Sequence, residues 1–128
     1  MSMVTVGIGR LTADPELKEI TSADGKTTCV ARFTLASNEY RNSLGSKVQQ
    51  THFLDFEAWD SGARTLAEHA HKGDMLYVQA TPRQNKWVTK EGENRQRIVF
   101  RAQNFHIIPK RGQTTEENEL DEARAESV

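Results

Sequence analysis

The apolar residues of this chain recur at every second position along much of its length. That period suits strands with one buried face and leaves room for only short helical stretches. In residues 3–11, Val4, Val6 and Ile8 share a face, while Gly7 and Gly9 on the other suggest a bend or a close backbone approach. Residues 27–37 set Cys29, Ala31, Phe33 and Leu35 against Val30, Arg32, Thr34 and Ala36. Residues 51–59 set Leu54, Phe56 and Ala58 against Phe53, Asp55, Glu57 and Trp59. Residues 75–81 are β-forming and mostly apolar on both faces, and residues 96–108 put Ile98, Phe100 and Ala102 on one side.

Between the third and fourth of these stretches the period changes. Ala63, Leu66, Ala67 and Ala70 fall at i, i+3, i+4 and i+7, one face of a short helix. Asp60 or Ser61 is placed to cap its start and Lys72-Gly73 to end it. The predicted fold is all-β: a five-stranded OB-fold barrel with one short helix between strands three and four. An SH3-like barrel would leave that helix without a natural place. The connections are polar. Residues 21–26 read as a turn around Asp24-Gly25, residues 38–50 as a long polar loop, and residues 82–97 as a hydrophilic β-hairpin arm turning at Glu91-Gly92. The pattern stops at Pro109, so residues 1–109 are expected to form one domain and residues 110–128 a disordered acidic tail.

Composition agrees. A hydrophobic content of 36% suits a small barrel better than a helical bundle with a large apolar interior. No apolar run reaches bilayer-spanning length and the N-terminus lacks a signal-peptide pattern. The expectation is a soluble protein of the cytoplasm or nucleoid, with no membrane partner. Cys29 is alone, which leaves no intrachain disulfide or multi-cysteine zinc site, and its place in an apolar alternation reads as a small buried hydrophobe. The net charge of −1 hides an asymmetry. Residues 116–126 carry six carboxylates against Arg124, leaving 16 Lys and Arg against 12 Asp and Glu in residues 1–115. A basic body of +4 beside an acidic tail of −5 points to a polyanion as partner.

The aromatic residues narrow that partner. Leu54, Phe56 and Ala58 already supply a core face, so Phe53 and Trp59 must lie opposite, beside Asp55 and Glu57, two groups costly to bury unpaired. Trp87 sits among Arg83, Gln84, Asn85 and Lys86, and Tyr40 among Asn38, Glu39, Arg41 and Asn42, with little apolar company. Aromatics on polar, cation-bearing segments are what a sequence-tolerant single-strand binder needs, because every base has a π-face and Lys and Arg follow the phosphates. The plainer alternative, that each ring covers a local apolar patch or a subunit contact, weakens when four positions share the property. Arg32, Arg41, Lys47, Arg83, Lys86 and Lys90 are the matching candidate phosphate contacts, beside the strand-two and strand-three face that an OB-fold uses for binding.

Other chemistry finds little support. Asp55 and Glu57 stand on one strand face at a spacing open to a magnesium-dependent nuclease, without a positioned His or Arg cluster in the sequence. His69 and His71, two apart on a helix, point to different sides, and Gly7-Ile8-Gly9 lacks the third glycine and the following helix of a dinucleotide fingerprint. No enzyme, metal or cofactor is indicated. A replication-assembly subunit whose aromatic surface binds protein is the remaining rival.

The motifs Val6-Gly7-Ile8-Gly9-Arg10-Leu11, Asp14-Pro15-Glu16-Leu17 and Val30-Ala31-Arg32-Phe33-Thr34-Leu35-Ala36 carry a family resemblance. With residues 51–59, Lys72-Gly73, and Lys86-Trp87 ahead of Glu91-Gly92, they make the chain similar to the bacterial and phage single-stranded-DNA-binding protein family over nearly all of residues 3–108. The resemblance implies base stacking at Tyr40, Phe53, Trp59 and Trp87. It also implies a homotetramer, or at least a homodimer, that wraps and protects single-stranded DNA in replication, recombination or repair. Two departures stand out. Asp55 and Glu57 lie on the expected DNA face where the family commonly has basic or neutral residues. The chain also ends Ala125-Glu126-Ser127-Val128, without the family's acidic Pro-Phe tip. Tail-mediated docking of replication and repair proteins is therefore not implied, and a phage-encoded, plasmid or specialised paralogue is favoured.

Overall fold

The computed structural model describes residues 2–108; the acidic segment expected beyond Pro109 lies outside the described residues. The elements are β1 (Thr5–Leu11), β2 (Glu16–Thr21), β3 (Thr27–Ser43), β4 (Ser46–Trp59), α1 (Asp60–His69), β5 (Met75–Val88) and β6 (Asn94–Ile108). The sheet runs β1-β5-β6-β4-β3-β2, and a further β1–β3 pairing closes it. β1 meets β3 at Arg10↔Ala36 and Leu11↔Leu35, and β2 continues along the same edge of β3 from Glu16↔Arg32 to Thr21↔Thr27. β1 and β2 therefore act as one barrel strand broken around Pro15, and the closed barrel has the five strands expected, with the helix in the expected place. No described helix is long and apolar enough to cross a membrane.

The alternation sets which residues enter the core. Cys29, Ala31, Phe33 and Leu35 of β3 and Phe56 and Ala58 of β4 are buried, as are Leu76, Val78 and Ala80 of β5. Phe33 stacks on Phe56 (centroids 5.5 Å apart), and Phe56 tilts against Phe100 across the parallel β4–β6 pairing. In β6 a register shift opposite Gln79/Ala80 exchanges the two faces. Phe100 and Ala102 pack on the core before it; Phe105 and Ile107 do so after it. Helix α1 buries Ala63 and Leu66 as the i, i+3 pattern requires, followed by Ala70 just past its end. Its exit turn is held to the strand break: Gly73 N–H donates to the Leu11 carbonyl and Lys72 N–H to the Asp14 carboxylate (2.9 and 2.7 Å).

Several local expectations change. Residues 38–50 are no loop; β3 and β4 continue as one hairpin to Ser43↔Ser46, joined by Leu44-Gly45, both at positive φ. β2 is a strand that the apolar period did not reveal. Neither Asp60 nor Ser61 caps α1, whose N-cap position is Trp59 without a side-chain bond, and the helix stops at His69, ahead of Lys72-Gly73. The hairpin arm of residues 82–97 is present, with its turn closed by Gly92 N–H on the Thr89 carbonyl. In the turn at Asp24-Gly25, the Ser22 hydroxyl and then the Lys26 N–H hold the Asp24 carboxyl below its usual range.

The two glycines of β1 separate. A Cβ on Gly9 would stand 2.9 Å from Leu35 Cβ and 3.1 Å from the Ala36 carbonyl oxygen, whereas one on Gly7 would meet nothing within 4 Å. Gly9 thus allows the close approach of β1 to β3 that shuts the barrel. Gly9→Ala is expected to destabilise by about 1–3 kcal/mol, and Gly7→Ala to stay within about 0.5 kcal/mol of the parent, measured by urea unfolding.

Candidate nucleic-acid interface

The β3–β4 register decides the outer surface as firmly as the core. Val30↔Trp59, Arg32↔Glu57, Thr34↔Asp55, Ala36↔Phe53 and Tyr40↔Gln49 are opposite pairs, so Tyr40, Phe53 and Trp59 fall on one face with Arg32 between them. Phe53 is 65% and Tyr40 57% exposed. Trp59 differs: it is half-buried, its indole N–H has no partner among the described residues, and the Arg101 guanidinium lies over the ring at 5.0 Å. Lys47 sits on the hairpin with its ammonium 5.4 Å from the Tyr40 ring centre.

The arm supplies the facing wall. Thr81↔Arg101, Arg83↔Val99, Asn85↔Arg97 and Trp87↔Arg95 share one of its faces. Trp87, 46% exposed, Asn85 and Arg97 line a cavity of about 630 Å³ together with Arg32, Thr34, Asp55 and Glu57. The structure thus brings Arg32 and Trp87 to one groove and sets Phe53 and Trp59 on the same sheet face. Arg83 shares Trp87's face of the arm. Tyr40 and Lys47 lie farther out on the β3–β4 hairpin. By alternation Arg41 and Lys86 occupy the reverse faces of their hairpins, and Lys90 sits in the turn at the arm's tip.

Three arginines escaped the sequence reading. Arg95, Arg97 and Arg101 lie on the groove side of β6, and the period-two spacing of Arg95, Arg97, Val99 and Arg101 was the available signal. Two of them answer for the carboxylates on this face. Arg97 Nη2 is 3.5 Å from Asp55 Oδ2, both side chains half exposed, while the Thr34 hydroxyl donates to Asp55 Oδ1 at 2.8 Å. Arg101 Nε donates to Glu57 Oε1 at 3.2 Å. Glu57 is only 6% exposed, so the expectation of a wet carboxylate fails there. Its charge is tolerable under the sheet surface because Arg101 neutralises it. Among the described residues no group of three or more His, Cys, Asp or Glu converges on a common metal position.

The two pairs should differ in stability. Arg101→Ala leaves a buried carboxylate without its donor and is expected to cost about 1–3 kcal/mol. Arg97→Ala breaks an exposed pair and is expected to cost less than about 1 kcal/mol. Thermal unfolding followed by circular dichroism distinguishes them.

The sequence model of the Single-strand binding protein family matches residues 1–108. A single-stranded DNA-binding protein of Aquifex aeolicus is 35% identical over 102 residues, 79% of this chain and 66% of that protein. One from Clostridium perfringens is 34% identical over 101 residues, covering 79% and 62%. A Thermus thermophilus protein of the same name is 39% identical over 88 residues, covering 69% and 30%. The chain therefore spans from about two thirds to under a third of these relatives' lengths. Among solved structures, a deletion mutant of the single-stranded DNA binding protein from Thermus aquaticus superposes with a TM-score of 0.72 at 18% identity, over 88% of this chain and 52% of that one, which shows the same fold.

Proposed function

The chain belongs to the single-strand binding protein family, and from that membership and the aromatic groove we propose that it binds single-stranded DNA with little sequence preference. Phe53, Trp59, Trp87 and Tyr40 are the stacking platforms in this reading. Arg32 and Arg83, with Lys47, take phosphates along the groove and hairpin, and Arg41, Lys86 and Lys90 meet strand that wraps beyond it. The observation that carries the reading is the row of exposed rings and interleaved arginines on one sheet face beside an open, polar-walled groove. Exposed rings of this size cost free energy in water, and a flat base removes that cost without reading sequence. The binding unit is residues 1–109, with residues 110–128 as an appended acidic segment. In the cell, whether host-encoded or brought in by a phage, the protein coats unpaired strands during replication, recombination or repair. Tail-mediated docking of replication proteins stays outside the proposal.

A second copy of the chain belongs to the same proposal. Val6 and Ile8 share a face of β1, and Val4 just precedes the strand, each more than half exposed. A row of branched apolar side chains on a strand surface fits a self-complementary contact of the kind a dimer, or a tetramer of two dimers, requires. Light scattering is expected to give a mass of two or four chains, and Val6→Glu to lower it.

Trp59 and Trp87 are the only tryptophans, so intrinsic fluorescence reports on the site directly. Oligo-dT is expected to quench it, duplex DNA of equal length much less. Trp87→Ala should lose about 1–3 kcal/mol of binding and Phe53→Ala a similar amount, with affinity falling as salt rises. Unchanged fluorescence with an intact fold would refute the assignment.

A further inference from the structure

A polyanion site should be rich in cations, yet the groove is not. The charged side chains lining it are Asp14, Glu16, Asp55 and Glu57 against only Arg32 and Arg97. Asp14 is engaged by the Lys72 N–H, and Glu16 and Glu57 flank Arg32 on the neighbouring strands. Among the described residues Arg32 makes no ion pair, whereas Arg97 is held by Asp55.

The two carboxylates on β4 are not equivalent. Glu57 is buried and its partner Arg101 also covers the Trp59 ring, so this pair is part of the wall. Asp55 is half exposed, and its contact to Arg97 is long, at 3.5 Å. A solvent-screened pair of that kind exchanges partners at little cost. A phosphate offers the same guanidinium an equivalent charge-assisted, bidentate partner.

We propose that Asp55 is an internal competitor for the strand's phosphates. It occupies Arg97 in the free protein, and a phosphate reaches that guanidinium only by displacing the carboxylate. This deepens, and rests on, the reading of the groove as a strand-binding site. The arrangement lowers affinity, leaves one fewer net phosphate neutralised, and shortens the bound lifetime, which suits a coat that later enzymes must remove. Asp55 is thus an affinity-setting residue whose loss strengthens binding, the reverse of what loss of a contact residue does.

Asp55→Asn keeps the shape and an acceptor for the Thr34 hydroxyl. Fluorescence titration with oligo-dT from about 50 to about 200 mM salt is the measurement. The variant is expected to bind roughly three- to tenfold tighter at the low-salt end, with a plot of log K against log salt steeper by about 0.7, the increment for one more phosphate contact on a single strand. Stopped-flow dissociation should be slower. Arg97→Gln should cost more in the Asp55→Asn background than in the parent, because only there is the guanidinium free. Asp55→Ser, a second variant in case the first melts early, should shift affinity the same way. Equal affinity and slope in parent and variant, or an Arg97→Gln cost that is the same in both backgrounds, overturns the proposal while leaving strand binding intact. A parent protein that oligo-dT does not quench overturns strand binding itself, and this inference with it.

Discussion

The β3–β4 ladder is the constraint on which the rest of the molecule depends. Its pairing sets Phe33 against Phe56 inside the barrel and, one residue away, Arg32 against Glu57 and Thr34 against Asp55 outside. A slip of one position would exchange the faces, sending Phe56 into water and Asp55 into the core. The Phe33–Phe56–Phe100 stack opposes such a slip, because burial of those rings outweighs any single surface contact. The placement of Phe53 and Trp59 on the outer face therefore follows from the packing of their neighbours.

On that outer face the proposed polyanion partner meets a groove lined by four carboxylates and two arginines, in a chain of net charge −1. What matters at a groove is the local field, which screening cuts to about 8–10 Å at ordinary ionic strength. Of the four carboxylates lining the groove, two are matched by a cation: Glu57 by Arg101 and Asp55 by Arg97. Burial then separates the pairs. The first is locked into the wall, and the second remains open to exchange.

How much of this was legible in the sequence follows from where burial acts. Wherever one strand face meets the core, the period of two is written into the residues, and the five barrel strands and α1 were readable for that reason. β2 was not: in Glu16–Thr21 only Ile20 is even half-buried, so nothing selects an apolar alternation. The outer halves of β3 and β4 failed to show for the same reason, since residues 40–51 project past the barrel and are exposed on both faces. Their turn gave no help either. A two-residue loop with both φ positive favours Asn-Gly or Asp-Gly, and here Leu44 occupies the first position at φ 51. The buried state of Glu57 was illegible for a different reason, because it depends on Arg101 reaching across from β6, 44 residues away in sequence.

The rings of the candidate site, read by the same reasoning, differ in kind. Phe53 is 65% and Trp87 46% exposed, and ordering either against a base costs side-chain entropy. Trp59 has met that cost in advance: its edge is buried, and the Arg101 guanidinium, fixed by Glu57, lies over its ring. A ring held in this way has a set orientation, so in the proposed binding mode it suits a fixed point against which the more exposed rings adjust. Rigidity at one position and freedom at the others is also what tolerance of base sequence requires. A strand of any composition must find one firm platform and several that adjust to purines and pyrimidines of different size. The buried carboxylate on this face, out of place when only its charge is considered, is thereby explained as the anchor of the arginine that lies over Trp59.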